Sequence, residues 1–180
     1  MGAFIDLVHR RISVRKYTGR EVPGKDIELC LEAARLAPSA CNSQPWKFIV
    51  VDDKPLKDAL CEKAFSGLYS MNGFAKTAPV IIAVVSERST FFAKIGGQFR
   101  GTSYYLIDVG MACEHLALQA AELGIGSCLL GWFNERAVKK LLKVPRQKKV
   151  DLLISLGYYE DIEKEKIRKP LGEVSSHNRY

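Results

Sequence analysis

The sequence predicts an α+β fold, on two patterns. Residues 80–85, Val-Ile-Ile-Ala-Val-Val, form an unbroken apolar run of the kind found in a strand buried on both faces. Residues 47–51, 127–132 and 150–157 are further short segments of strand composition. Between these segments lie stretches with apolar residues three and four apart, the spacing of a helix, chiefly 25–37, 55–65 and 102–123. A chain of 180 residues is expected to form a single domain over 1–180.

Taken in order, residues 4–10 read as a short helix with Phe4, Leu7 and Val8 on one face. Residues 11–17 alternate polar and apolar, the period of an extended segment, which turns Arg11, Ser13 and Arg15 one way and Ile12 and Val14 inward. Two guanidiniums flanking a hydroxyl suit a phosphate, since arginine binds it through two N–H groups and serine adds a hydrogen bond. A basic edge strand kept soluble by its charge reads the same way, and this segment alone leaves both readings open. Gly19 and Pro23-Gly24 mark a turn before the helix at 25–37.

The stretch from Pro38 to Trp46 stands between that helix and the first strand. Pro38 cannot continue a helix and Pro45 cannot donate to a sheet, so the intervening loop has a restricted shape. It presents Ser39, Asn42, Ser43 and Gln44 beside the aromatic ring of Trp46, a set suited to a flat ligand rich in heteroatoms. The same residues also make an ordinary helix-to-strand turn.

Residues 55–65 read as a helix, and residues 69–76 as irregular with a tight turn at Asn72-Gly73. Residues 86–101 form a long irregular connection, of a kind often used as a binding loop. The helix at 102–123 is apolar almost all round and must be buried on several sides, a dimer interface included. Asp108, Glu114 and His115 interrupt it as satisfied polar groups. Gly124 ends it in the manner of a C′ glycine. Gly124-Ile125-Gly126 is not a dinucleotide fingerprint, because it follows a helix and lacks the third glycine. Asn134 is placed to cap a short helix at 135–143, and Val144-Pro145 stops it. Residues 158–180 are polar without a periodic face, so they either stay disordered or wrap a partner.

A hydrophobic content of 47% and a charged content of 26% are those of a globular protein. The first residues lack the long apolar run of a signal peptide, and no apolar run is long enough to span a bilayer, so a soluble protein without membrane partners is expected. The five cysteines form no C-x-x-C pair, which excludes a zinc ribbon and predicts no metal; free thiols fit a reducing cytoplasm. The formal charge of +7 implies attraction to anions. The basic residues do not read as one block: near the C-terminus, Glu160, Asp161, Glu163 and Glu165 alternate with Lys164, Lys166, Arg168 and Lys169, the pattern of a solvated surface. Small phosphate ligands account for the excess as well as a polynucleotide does, and no nucleic-acid motif accompanies it.

Three separated stretches together resemble the nitroreductase family of flavin enzymes. They are R-x-S-x-R at Arg11, Ser13 and Arg15; A-P-S-x-x-N-x-Q-P-W from Ala37 to Trp46; and E-L-G-x-G-S-C running into L-G-W-F from Glu122 to Phe133. Leu156-Gly157-Tyr158 and K-x-R-K-P at Lys166 to Pro170 follow in the same order, so the likeness covers nearly the whole chain.

The resemblance implies a mixed, mainly antiparallel sheet flanked by helices, in an intertwined homodimer that exchanges its C-terminal tails, residues 158–180 packing on the partner. It implies FMN in two clefts at the interface, its phosphate and ribityl chain held by Arg11, Ser13, Arg15, Lys166 and Arg168. Pro38, Ser39, Ala40, Asn42 and Gln44 would line the ring from the partner subunit, Asn72 would contact the ring or ribityl, and the Leu130-Gly131 backbone would lie near the N5 edge. No catalytic side chain is expected, because the flavin carries the chemistry.

The implied activity is a ping-pong transfer from NADH or NADPH to a small acceptor such as a nitroaromatic or quinone. Alternatives are a flavin-binding protein without turnover, or an enzyme of the same fold with a different reaction, a dehydrogenase or reductive dehalogenase. Cys41 falls in the flavin loop and reads as a small filler, and Tyr69, Phe74, Phe91, Phe92 and Phe99 are either cleft or core.

Overall fold

A computed structural model describes residues 2–87, 101–160 and 166–180. The long connection, with Phe91, Phe92 and Phe99, lies outside the described residues, as do Asp161 to Glu165. Four strands, β1 (Trp46–Val51), β2 (Val80–Ser86), β3 (Gly126–Leu130) and β4 (Lys149–Gly157), form one antiparallel sheet in the order β1-β2-β4-β3. The principal helices are α1 (Ala3–Arg10), α2 (Gly24–Arg35), α3 (Lys54–Ala64), α4 (Tyr104–Glu122) and α5 (Glu135–Leu141), followed by the single turn α6 (Leu171–Val174).

The apolar run of β2 is explained by its central position. Ile81, Ala83 and Val85 enter one core with Leu60, Cys61 and Ala64 of α3 and Val138 of α5. Val80, Ile82 and Val84 enter a second core with Ile27, Cys30 and Ala34 of α2 and Val109, Ala112, Cys113 and Leu116 of α4. The sheet is thus the middle of three layers, and strand periodicity deals alternate side chains to the two sides. On β4 a bulge between the pairs Val84–Leu152 and Val85–Val150 resets that phase, so Val150 and Leu153 share one core despite odd spacing.

Helix ends follow local chemistry. Asp53 accepts from the Leu56 N–H and Asn134 from the Ala137 N–H, each capping the helix that follows. At the end of α4, Gly124 takes φ +72°, Ile125 N–H reaches Ala120 O at 2.8 Å and Gly124 N–H reaches Ala121 O at 3.2 Å, a Schellman closure.

Three expectations differ from the structure. Residues 67–77 are not irregular but a run of 3₁₀ turns broken at Asn72; such turns need no amphipathic face, and Leu68 and Met71 are exposed. β3 ends at Leu130, not Trp132, because the chain leaves the sheet where the Asn72 amide takes the Trp132 carbonyl. The short helix ends at Leu141, with Lys143 in the left-handed conformation at φ +53°.

Apolar surface remains open on this single chain. No residue of α1 is buried, and Phe4 and Ile5 are exposed. Leu106 and Ile107 of α4 and Ile167, Leu171 and Val174 of the tail are exposed too. No described helix is long and apolar enough to cross a membrane.

Candidate functional site

The R-x-S-x-R segment is fixed along the outer edge of β3. Ser13 bridges Ser127 in parallel sense, and Val14 N–H donates to Ser127 O at 3.0 Å. Val14 is buried while Ser13 and Arg15 face outward and Arg11 is half-buried, as the alternation predicts. Tyr17 pins the end of the segment: its hydroxyl lies 2.7 Å from Ser155 Oγ and donates to Val14 O at 3.0 Å, and burial pushes its pKa up. The close approach needs a glycine on β3, since a Cβ on Gly126 would meet Val14 Cγ2 at 2.6 Å and Tyr159 Cδ1 at 2.7 Å. The glycine of the E-L-G-x-G-S stretch therefore exists to seat the arginine segment.

Lys166 of the tail reaches the same place. Its ammonium donates to Val8 O, one of the unpaired carbonyls at the end of α1. Its pKa is lowered by burial first, then by the positive charges of Arg11 and Arg168, with Glu114 acting the other way. Three cations thus crowd one another beside Ser13. Glu114 offsets only part of this, 3.6 Å from Arg11 Nε and itself half-exposed. A cluster of cations that mutually repel is stabilised by an anion with several acceptor oxygens, so the donor set fits a phosphate. Arg15 makes no ion pair among the described residues and is not among the charges that shift Lys166.

The loop at 38–44 is rigid and strained. Cys41, Asn42 and Gln44 all take positive φ, at 52°, 51° and 44°, a region that costs a non-glycine residue about 1–2 kcal/mol. Internal bonds hold it: Gln44 N–H to Ser39 Oγ at 3.0 Å, and Gln44 Nε2 to Asn42 Oδ1 at 3.1 Å. The outside anchor is Asp108 of α4, buried, whose Oδ1 accepts from Ala40 N–H at 3.1 Å. Pro38 and Ala40 are exposed beside this anchor, and Ser39 is half-buried. Cys41 is exposed, so it is not the packed filler the sequence suggested.

Asp108→Ala removes that anchor and leaves the Ala40 N–H without its acceptor, a charged hydrogen bond worth about 1.5–3 kcal/mol. We expect a fall in Tm of about 3–8 °C by calorimetry, while Asp108→Asn, which keeps an accepting oxygen, retains most of the stability. Equal losses in the two variants would show that the carboxylate does not act through this bond.

Asn72 is brought to the end of β3, its Nδ2 donating to Trp132 O at 2.9 Å. Trp132 Nε1 donates to Leu68 O at 3.0 Å and its ring lies 5.3 Å from that of Tyr69, so an exposed Trp132 and a half-buried Tyr69 form an aromatic pair next to Gly131 in the chain. Gly131 is exposed with open space where a Cβ would lie, while Leu130 is buried. Of the remaining aromatic candidates, Phe74 packs against the core.

The structure joins Arg11, Lys166 and Arg168 in one group, with Ser13 two residues along the segment from Arg11, and joins Asn72 with the segment after Leu130 in another. It does not join the 38–44 loop to the cations. The loop leads into β1 and the arginine segment lies along the outer edge of β3; β1 and β3 alone are three strand spacings or about 14 Å apart. Asp108, Glu114, Gly126 and Trp132 were not named as site residues from the sequence. The signals were the polar interruptions of an apolar helix, for Asp108 and Glu114, and the motifs from Glu122 to Phe133 that contain Gly126 and Trp132; the role of Asp108 depends on a contact between residues 68 apart.

The family model described as the Nitroreductase family matches residues 8–72 and 69–158. A protein of Archaeoglobus fulgidus, provisionally named NADH dehydrogenase/NAD(P)H nitroreductase, is 32% identical over 161 residues, covering 87% of this chain and 86% of its own. An iodotyrosine deiodinase of Thermotoga neapolitana is 28% identical, with 89% and 91% covered. Among solved structures, a nitroreductase family protein of Clostridium difficile 630 superposes with a TM-score of 0.81 at 27% identity, all of both chains covered. An FMN-dependent nitroreductase of Clostridium difficile R20291 gives a TM-score of 0.76 at 29% identity, with 98% and 99% covered. By the extent of the family match and by its fold, this chain belongs to the nitroreductase family.

Proposed function

We propose that the protein is an FMN-dependent NAD(P)H oxidoreductase that passes reducing equivalents to small acceptors such as nitroaromatics or quinones. The two half-reactions occur in turn in one cleft, a ping-pong order, in a reducing cytoplasm. The carrying observation is the convergence of Arg11, Lys166 and Arg168, an excess of positive charge that Glu114 offsets only in part among the described residues. These residues hold the FMN phosphate, and Asn72 and the Leu130-Gly131 backbone face the ring. When bound, FMN supplies the hydride chemistry, which is why no catalytic side chain is required. The chain's own part is to bind and orient the group and to shield it from water.

The working unit is a homodimer. Its support is the open apolar surface on α1, α4 and the tail, and the separation of the 38–44 loop from the cations of its own chain. In the dimer that loop, with Pro38, Ser39, Ala40, Asn42 and Gln44, lines the ring held by the partner; the tail, residues 158–180, packs on the partner while its Lys166 and Arg168 stay with Arg11 of their own chain. The 28% identity to an iodotyrosine deiodinase favours reductive dehalogenation as a second reading.

An absorption spectrum of the purified protein, followed by anaerobic addition of NADH and then NADPH, tests the proposal. A flavin band that bleaches with either nucleotide is expected. A band that persists points to a flavin-binding protein without NAD(P)H turnover, and no band after added FMN overturns the reading. Re-oxidation by a halogenated phenol with release of halide, and not by a nitroaromatic, would favour the second reading.

A further inference from the structure

One stretch of the chain is a block of a single sign. Residues 135–149 hold seven of the 27 Lys and Arg residues and one of the 20 Asp and Glu residues, a local excess of six positive charges. The segment is unlike the mixture near the C-terminus. The single acid, Glu135, is turned inward, where its Oε1 accepts from Val150 N–H at 3.1 Å.

The block is also preorganised. Lys139 Nζ donates to the carbonyls of Arg146 and Lys148, tying the turn after α5 back onto the helix. Lys148 N–H closes that turn on Pro145 O at 3.0 Å, and Val144 N–H closes the helix on Lys139 O at 2.9 Å. Lys148 pairs with Glu87 at 3.2 Å and Lys149 lies 3.9 Å from Asp151. Arg136, Lys140, Lys143 and Arg146 are exposed and make no ion pair among the described residues. Lysines at a helix C-terminus complement its dipole, which accounts for Lys139 and Lys140. It does not account for Lys143, held at φ +53° where glycine is usual, or for Arg146 beyond it.

We propose that this face is a docking surface for a small acidic electron-carrier protein, an inference that rests on the oxidoreductase reading above. No aromatic residue lies in the segment to stack on bases, and none of its residues is an exposed large apolar one that would insert into a membrane. A surface of unpaired charges without an apolar centre suits the small, transient interfaces of redox encounters, where charge steers the approach. The face lies toward the same end of the sheet as Gly131, since β4 begins at Lys149 and antiparallel β3 ends at Leu130, opposite Leu153. In the exchange, NADH is oxidised to NAD⁺ with loss of two electrons and release of one proton, and two oxidised carriers each take up one electron.

The test uses the flavin-loaded enzyme with an acidic rubredoxin as the carrier and a small quinone as the comparison. For the native protein, kcat/KM for rubredoxin should fall steeply with added salt, and calorimetry should show salt-sensitive binding of oxidised rubredoxin. The combined variant Lys140→Glu, Lys143→Glu, Arg146→Glu should lose about ten-fold or more in both rubredoxin readouts while its kcat/KM for the quinone is unchanged. Quinone turnover without rubredoxin reduction, or rubredoxin kinetics indifferent to the charge reversal, would overturn the docking surface alone. Failure to oxidise NADH or NADPH with either acceptor would overturn the oxidoreductase reading and this inference together. Tight, salt-sensitive binding of duplex DNA that the charge reversal abolishes, without rubredoxin binding, would assign the face to nucleic acid instead.

Discussion

Replacing Arg11 and Lys166 together by alanine is expected to weaken FMN binding by about 100-fold or more, measured by titrating the apoprotein and following the quenching of flavin fluorescence. A hydrogen bond from a charged donor contributes about 1.5–3 kcal/mol, or a factor of about 10 to 150 in affinity. The two losses will not simply add, because each cation raises the electrostatic cost of the other. Arg15→Ala serves as the comparison: Arg15 belongs to the same sequence pattern but is not among the charges that act on Lys166, so a smaller loss is expected. Equal effects at Arg11 and Arg15 would mean that the pattern, and not the cluster, describes the phosphate seat.

The lowered pKa of Lys166 supplies an independent check. Its folded-state value lies below that of the unfolded chain, so the unfolded state binds the proton more tightly. Stability of the apoprotein should therefore rise with pH through the interval between the lowered value and the usual lysine range. Bound phosphate should remove that dependence by favouring the charged ammonium. Unchanged slopes with and without phosphate would place the anion elsewhere.

Gly126→Ala is expected to cost about 1–3 kcal/mol of stability through overpacking, and more of cofactor affinity than its small size suggests. The new methyl would lie 2.6 Å from Val14 Cγ2 and 2.7 Å from Tyr159 Cδ1, with Val14 anchored by its N–H on Ser127 O and Tyr159 packed against the core. Relief requires the arginine segment to move off β3, which carries Ser13 and Arg11 out of register with Lys166. Calorimetry should show a fall in Tm of about 2–10 °C, with a parallel loss of FMN affinity. Gly131→Ala is the stability control, since open space surrounds that position. If both variants melt like the native protein, the packing of the segment on β3 is looser than these contacts imply.

These outcomes depend on features that differ in how far the sequence reveals them. The alternation of residues 11–17, the buried β2 run, the Asn134 cap and the Gly124 stop were legible because each is set by neighbours within a turn or a strand pleat. Alternation put Arg11, Ser13 and Arg15 on one face, but joining Lys166 and Arg168 of the tail to them was reached through resemblance, and periodicity could not supply it. Tertiary structure alone decided that Val14 lies on Gly126, that Asn72 holds the Trp132 carbonyl and that Asp108 anchors Ala40. Each is a contact between residues 60 or more apart in the chain. A short-range pattern fixes which face of an element is apolar. It carries no information on which distant polar group will meet that element once the sheet and helices have closed.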